Sequence, residues 1–300
     1  MTAPNTITST QLMRLIGTPD APVIVDICID EDFANDPRLI PTSFRHPFKN
    51  IQELVPALRD RKVVVVCHKG KKLSQGAMAL LRSHGVDAET LEGGVVAWRA
   101  AGGPLVPEKA IPARGALWVT RHRPKIDRIA CPWLIRRFID SDARFLFVAP
   151  SEVLAVAERF EAIPFDVEGA ALSHSENACS FDAVLAHFAL TCPALLRVAD
   201  VIRAADGTPN ANAPEAAGLL AVSLGLSRMF KDDNAQLEAA MPLYDALYRW
   251  ARAKLLNIDA VINQVNVILG NIKGLGNIHL RLFGYRHHIL KACNHFGLHR

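Results

Sequence analysis

Four consecutive valines, Val63, Val64, Val65 and Val66, run straight into a cysteine, and this run constrains the fold more than any other feature of the chain. β-Branched residues favour strands, and an unbroken apolar strand suits the middle of a covered sheet. Cys67-His68-Lys69-Gly70-Lys71-Lys72-Leu73-Ser74 follows as a short polar loop with one glycine. Ala77, Met78, Leu80 and Leu81 then mark a helix over 74–83, which His84-Gly85 is expected to end. Another strand is expected at Val23-Ile24-Val25-Asp26-Ile27. Strand–helix alternation of this kind implies an α/β domain: a parallel sheet with helices on both faces.

A chain of 300 residues has room for two domains. The α/β pattern occupies 1–105. Residues 106–115 read as a linker, since Pro107, Pro112 and Gly115 oppose regular structure. Residues 116–253 read as a helix-rich α+β domain. It has strand-like stretches at 117–120 and 145–148, a helix entered through Pro132 and running past Phe138, and longer helices over 214–229 and from 235 to about 253. The last carries Leu237, Met241, Tyr244, Leu247, Tyr248 and Trp250 on one stripe. Residues 254–300 form a basic, atypical tail whose glycines at 270, 274, 276 and 284 follow neither a helical nor a strand period.

The net charge of +4 is too small to argue for nucleic acid. The tail and the run from Arg121 to Arg137 are basic, but neither a helix-turn-helix nor an aromatic stacking platform accompanies them, so no nucleic-acid partner is expected. The start of the chain lacks a basic segment followed by an apolar one, and the apolar runs are too short to cross a bilayer. A cytoplasmic protein without a membrane partner is the expectation. Cysteines 28, 67, 131, 179, 192 and 293 form no Cys-x-x-Cys pair and are expected to be free thiols.

The chemistry is easiest to read at Cys67. The valine strand delivers this cysteine to its carboxyl end, the edge at which open α/β sheets bind ligands. Loop amides and a helix N-terminus there lower a thiol pKa. Lys69, Lys71 and Lys72 add positive charge, and Gly70 and Ser74 complete the loop. Such a cradle suits a thiolate, a persulfide or a bound oxyanion. The rival reading is a buried structural cysteine at a strand end.

Further along, Leu91-Glu92-Gly93-Gly94-Val95-Val96-Ala97-Trp98 precedes Ala101-Gly102-Gly103-Pro104. Together with Val25-Asp26, Asp30-Glu31-Asp32-Phe33, Leu39-Ile40-Pro41-Thr42-Ser43 and the Cys67 loop, this order resembles the rhodanese family over about 8–105. The resemblance implies a sulfurtransferase in which Cys67 carries sulfur as a persulfide, with a small sulfur donor, a thiol or cyanide acceptor, and no required cofactor. Gly93-Gly94 is expected to make a tight strand-to-helix turn and Trp98 to be core, neither carrying chemistry. The sequence departs from the family's Cys-x-x-Gly-x-Arg-Ser loop: Ser74 falls one position late and no arginine is present. Either Lys72 takes the arginine's part or Leu73 occupies its place. Lysine lacks the bidentate fork of arginine, which argues against phosphatase chemistry.

In the second domain, Trp118-Val119-Thr120-Arg121 and the stretch from Ile126 through Cys131-Pro132-Trp133 to Asp140 lead into Phe145-Leu146-Phe147-Val148, Pro164-Phe165-Asp166-Val167 and Cys179-Ser180-Phe181-Asp182. With Arg203-Ala204-Ala205-Asp206 and Tyr244-Asp245-Ala246-Leu247-Tyr248-Arg249-Trp250, these resemble the C-terminal domain of the chromate-resistance ChrB family over about 116–252. The resemblance implies a part in chromate resistance or response, as an oxyanion- or metal-binding sensor or accessory if the first domain does not turn over. Arg121, Arg128 and Arg136 are candidates to grip a tetrahedral dianion such as chromate or sulfate. A solvated basic face, or salt bridges to Asp127 and Asp140, is the competing reading. His174, Glu176 and Asp182, near Cys179 and with Asp166 and Asp206 elsewhere, are candidate ligands for a divalent metal. A satisfied core histidine and a capping aspartate compete with that. Cys131, before Pro132 at the expected helix start, is either a second reactive thiol or buried.

Overall fold

The computed structural model describes residues 5–175, 178–208 and 211–272, with the backbone alone for 254–272. The first half runs β1 (Thr6–Ile7), α1 (Ser9–Leu15), β2 (Val23–Asp26), α2 (Asp30–Ala34), β3 (Arg38–Leu39), β4 (Phe44–Arg45), a 3-10 helix (Phe48–Leu54), α3 (Val55–Leu58), β5 (Lys62–Val66), α4 (Lys72–Ser83), β6 (Asp87–Leu91) and α5 (Gly94–Ala100). The strand order is β1-β6-β5-β2-β4, parallel throughout.

The valine strand β5 lies at the centre. Val63, Val65 and Cys67 pack with Val23, Val25, Ile27 and Ala88 against Ala77 and Leu81 of α4. Ile24, Val64 and Val66, which alternate with them, are equally buried on the opposite face. Both faces are therefore covered, and the parallel strands end at one common edge. α4 starts two residues earlier than the spacing suggests, which puts Ser74 in its first turn. His84 ends it, and Gly85 takes φ +83°.

The stretch expected as a linker is laid down on the first half. β7 (Val106–Pro107) pairs antiparallel with β3, Val106 is fully buried, and a 3-10 turn follows over Glu108–Ala110. A two-residue edge pairing asks little of the backbone, which is why Pro107 is tolerated there.

The second half runs β8 (Leu117–Arg121), α6 (Asp127–Phe138), β9 (Arg144–Val148), a 3-10 turn (Pro150–Glu152), α7 (Val153–Phe160), β10 (Ile163–Pro164), α8 (Ser180–His187), α9 (Pro193–Asp206), α10 (Ala216–Met229) and α11 (Asp233–Ile272). Its sheet, β10-β8-β9, is also parallel. Trp133 anchors the core, with the rings of Phe138, Phe181, Tyr244 and Tyr248 at centroid distances of 5.7–6.5 Å. Leu237, Met241, Tyr244 and Tyr248 form the buried stripe of α11, while Leu247 and Trp250 are half-buried at its margin.

Two helix limits differ from expectation by more than two residues. α6 begins at Asp127, so Pro132 lies inside the helix and not in its first turn. Proline removes one N–H only, and the bonds from Arg128 to Lys125 O and from Ala130 to Ile126 O have already started the helix. α11 continues to Ile272 and takes in Gly270, because an isolated glycine costs a helix only about 1 kcal/mol relative to alanine. The chain divides into compact units at 252/253.

Within the larger unit the two halves touch directly. Thr42 N–H donates to Phe138 O, and Arg252 donates to Arg14 O at 2.8 Å. Gly17, at φ +77°, brings the backbone so close to the Phe138 ring that a Cβ there would lie 2.3 Å from it. No helix among the described residues is long and apolar enough to cross a membrane.

Candidate functional site

Two groups of chemistry-bearing residues form, each at the carboxyl edge of a parallel sheet. The first is the loop after β5. Ile27 N–H donates to Val66 O and fixes the strand end, and Cys67 is the next residue. The chain then bends through 68–71 without a hydrogen-bonded turn, with Gly70 at φ +64°. A Cβ at Gly70 would sit 2.5 Å from Leu91 O.

The first turn of α5 sets the direction of this loop. Val95 N–H donates to Cys67 O and Val96 N–H to His68 O, both at 3.1 Å. In a trans peptide the N–H points opposite to the C=O of the same plane. The amides of His68 and Lys69 are thereby turned away from α5. Among the described residues the amides of 68–74 donate to no carbonyl or side chain, and those in the first turn of α4 are free by helical geometry. Gly94, at φ +61°, permits the approach: a Cβ there would lie 2.1 Å from Cys67 O. The glycine pair thus does more than turn the chain from β6 into α5. It holds the Cys67 loop, while Trp98 is core as expected, fully buried with its indole N–H on Pro104 O.

Cys67 is only 5% exposed, but its surroundings are not sealed hydrocarbon. It opens on a cavity of about 420 Å³ lined with Cys28, Asp32, His68, Lys69, Lys71 and Lys72. Its Sγ lies 3.2 Å from Ser74 Oγ, which in turn donates to Lys71 O. Ser74 is itself fully buried. Lys72 is exposed at the start of α4, whereas Leu73 packs on the core, and both side chains line the cavity. Cys28 shares the cavity but differs chemically. Burial, followed by the charge of Asp26, pushes its thiol pKa up, so it stays protonated.

The second group joins five segments. Arg121 ends β8, Asp127 and Arg128 open α6, Asp166 follows β10, Ser180 opens α8 and Asp206 ends α9, with His174 reaching in from the loop between β10 and α8. Asp166 accepts from Arg121 Nη2 at 2.8 Å and Arg128 Nε at 3.0 Å. It also faces His174 Nδ1 at 2.9 Å and accepts from Ser180 Oγ at 2.9 Å. On the other side of the imidazole, Nε2 is 2.8 Å from Asp206 Oδ2 and 3.6 Å from Asp127 Oδ2. Asp127 caps α8, accepting the amides of Ser180 at 2.6 Å and Phe181 at 3.0 Å. Its carboxyl is pushed up to about 7 by burial, then by Asp206 and Asp166, against the opposing pull of His174. Burial works to lower the His174 pKa, but the hydrogen bond to Asp206 and the three carboxylate charges outweigh it and raise it.

The expected residues divide between these places and others. Arg121 and Arg128 come together, but on Asp166, and neither the solvated face nor the expected pairing with Asp127 and Asp140 describes them. Arg136 does not join them: it pairs with Glu238 at 2.6 Å and stacks over Phe145. The three arginines are therefore not one anion site, because α6 presents its two ends to different neighbours. Asp182 does not join His174 either. It accepts the Cys179 amide, capping α8, and is paired with Arg203. Glu176 lies outside the described residues. Cys131 is fully buried and its thiol is held well above its ordinary pKa by burial, then by Asp127, so it is no second reactive thiol. Asp127 escaped notice as a possible ligand; its one sequence signal is an acidic residue in the first turn of a helix, which is common without function.

Comparison with known proteins gives two family matches. Residues 8–101 match the family model for the rhodanese-like domain, and residues 118–251 that for the ChrB C-terminal domain. Protein ChrB of Cupriavidus metallidurans is 38% identical over 138 residues, 45% of this chain and 40% of that protein. The chain thus spans about two fifths of the length of the curated relative it matches. Among solved structures, a rhodanese-related protein from Thermoplasma volcanium is 26% identical, covering 35% of this chain and 99% of its own, at a TM-score of 0.31. A thiosulfate sulfurtransferase from Pseudomonas aeruginosa is 26% identical over 34% of this chain and 19% of its own, at 0.30.

Proposed function

From the premise that residues 8–101 match the rhodanese-like domain and residues 118–251 the ChrB C-terminal domain, we propose that the protein is a sulfurtransferase serving chromate resistance, with Cys67 as its sulfur carrier. The observation that carries this reading is the backbone of the loop. The carbonyls of Cys67 and His68 are held by α5 and the loop amides are left unbonded around a cysteine that opens on a lysine-lined cavity.

The chemistry follows from those groups. The Cys67 thiolate attacks the outer sulfur of a donor such as thiosulfate. The donor's S–S bond breaks, sulfite leaves with the electron pair, and a Cys67 persulfide remains. Cyanide or a thiolate then attacks the terminal sulfur and the Cys67 thiolate is restored. The free amides, the N-terminus of α4 and the three lysines stabilise the anionic sulfur at each stage. Ser74 adds a switchable partner. Its hydroxyl accepts from the thiol while donating to Lys71 O, and can rotate to donate to the thiolate.

Mass spectrometry of the thiosulfate-treated protein tests this. The expected result is a gain of one sulfur atom, mapped to Cys67 and removed by cyanide. An unmodified Cys67 beside a tightly bound oxyanion would replace the enzyme with a binding module, a reading to which the absent loop arginine lends support.

A further inference from the structure

We propose that Asp127, His174 and Asp206 bind a first-row divalent cation of the Mn²⁺, Fe²⁺ or Zn²⁺ class, a site independent of sulfur transfer. One ligand atom from each residue lies within 4.8 Å of the others. Ligands about 2.1 Å from a shared ion at tetrahedral or octahedral angles stand about 3.0–3.4 Å apart. The separations from His174 Nε2, 2.8 Å to Asp206 and 3.6 Å to Asp127, bracket that range. The longer one is the more telling. At 3.6 Å no hydrogen bond joins Asp127 to the imidazole, yet its carboxylate oxygen faces the same nitrogen.

The opposite edge of the ring is prepared in the way a ligating histidine requires. Nδ1 faces Asp166, which Arg121 and Arg128 hold in place. With a carboxylate on Nδ1–H, an ion need displace only the Nε2 proton now shared with Asp206, which frees that lone pair toward Asp127 and Asp206. Charge points the same way. Both arginines are committed to Asp166, and among the described residues no guanidinium or ammonium lies within ion-pair distance of Asp127 or Asp206. Asp127 is 1% exposed, and its carboxylate faces the Ser180 and Phe181 amides and the imidazole it shares with Asp206, so two carboxylates lean on one titratable cation. One nitrogen and two carboxylate oxygens suit the borderline first-row ions. His174 and Asp206 reach solvent, so three protein ligands leave coordination positions open to water or a small anion.

The test is titration of the full-length, tag-free protein with Mn²⁺, followed by the loss of the free-ion EPR signal, and with Zn²⁺ by calorimetry. One ion per chain is expected. Asp206→Asn and His174→Ala should weaken binding by about 100-fold, and Asp166→Asn by about 10- to 100-fold through the freed imidazole. Asp206 lies at the solvent side, so its variant should fold even if changes at buried Asp127 do not. Asp182→Asn should bind as the wild type does. No uptake of either ion, wild-type affinity in Asp206→Asn and His174→Ala, or an equal loss in Asp182→Asn would each overturn the assignment.

Discussion

The Cys67 loop and the Asp127–His174–Asp206 cluster occupy equivalent places, each beyond the carboxyl ends of parallel strands, but they are made of different materials. The loop is built from backbone. Its amides, three left-handed glycines and a helix start come from eight consecutive residues and from one turn, at Gly93-Gly94, that braces them. The cluster is built from side chains. Arg121, Asp127, Arg128, Asp166, His174, Ser180 and Asp206 come from distant segments and are joined by ion pairs and hydrogen bonds. A backbone cradle tolerates substitution of its exposed side chains and fails when its geometry is forced. A side-chain cluster fails when any one buried charge is removed.

The sharpest way to break this contrast is Asp166→Ala. It strands two guanidiniums, and breaking a buried pair costs up to about 3–5 kcal/mol. Arg121 and Arg128 are partly exposed and can turn to water, so about 3 kcal/mol is expected, read by denaturant unfolding. Gly94→Ala should do the converse. Forcing a side chain onto a left-handed backbone against Cys67 O should displace the loop and lower sulfur transfer about 10- to 100-fold, with Mn²⁺ binding unchanged.

A milder test uses Asp26, buried at the end of β2, whose carboxyl is raised chiefly by burial. A raised folded-state pKa means that the protonated form favours folding. That contribution is complete below the ordinary carboxylate range and is lost as pH rises through the raised value. Asp26→Asn should therefore raise Tm at neutral pH relative to the wild type, and the gain should vanish in acid. The smallest effect is expected at the exposed lysines. Lys69→Ala should change the transfer rate by less than about 3-fold, because solvent screens its charge. A loss as large as that of Gly94→Ala would mean that the loop works through side chains after all.

The same difference explains what could be read from the sequence. The valine strand, the cysteine, Gly70 and the start of α4 lie next to one another in the chain, so local propensity reveals both the sheet and the cradle. The bracing role of Gly94 needs β6 placed beside β5, which spacing alone does not give. In the cluster, His174 was visible as a ligand type, but its neighbours in sequence were misleading. Asp182, eight residues on, turns to Arg203, while Asp127 and Asp206 reach His174 only because α6 begins and α9 ends at the same edge. Arg136 failed as an anion candidate for a related reason: charge in a run says nothing about which carboxylate each side chain will meet.

Thiosulfate:cyanide turnover, compared between the wild type and Cys67→Ser, tests the central claim most directly. Thiocyanate formation by the wild type and its fall to the uncatalysed background in the variant, with Tm and Mn²⁺ uptake retained, is the predicted result. Equal rates in the two proteins would contradict it.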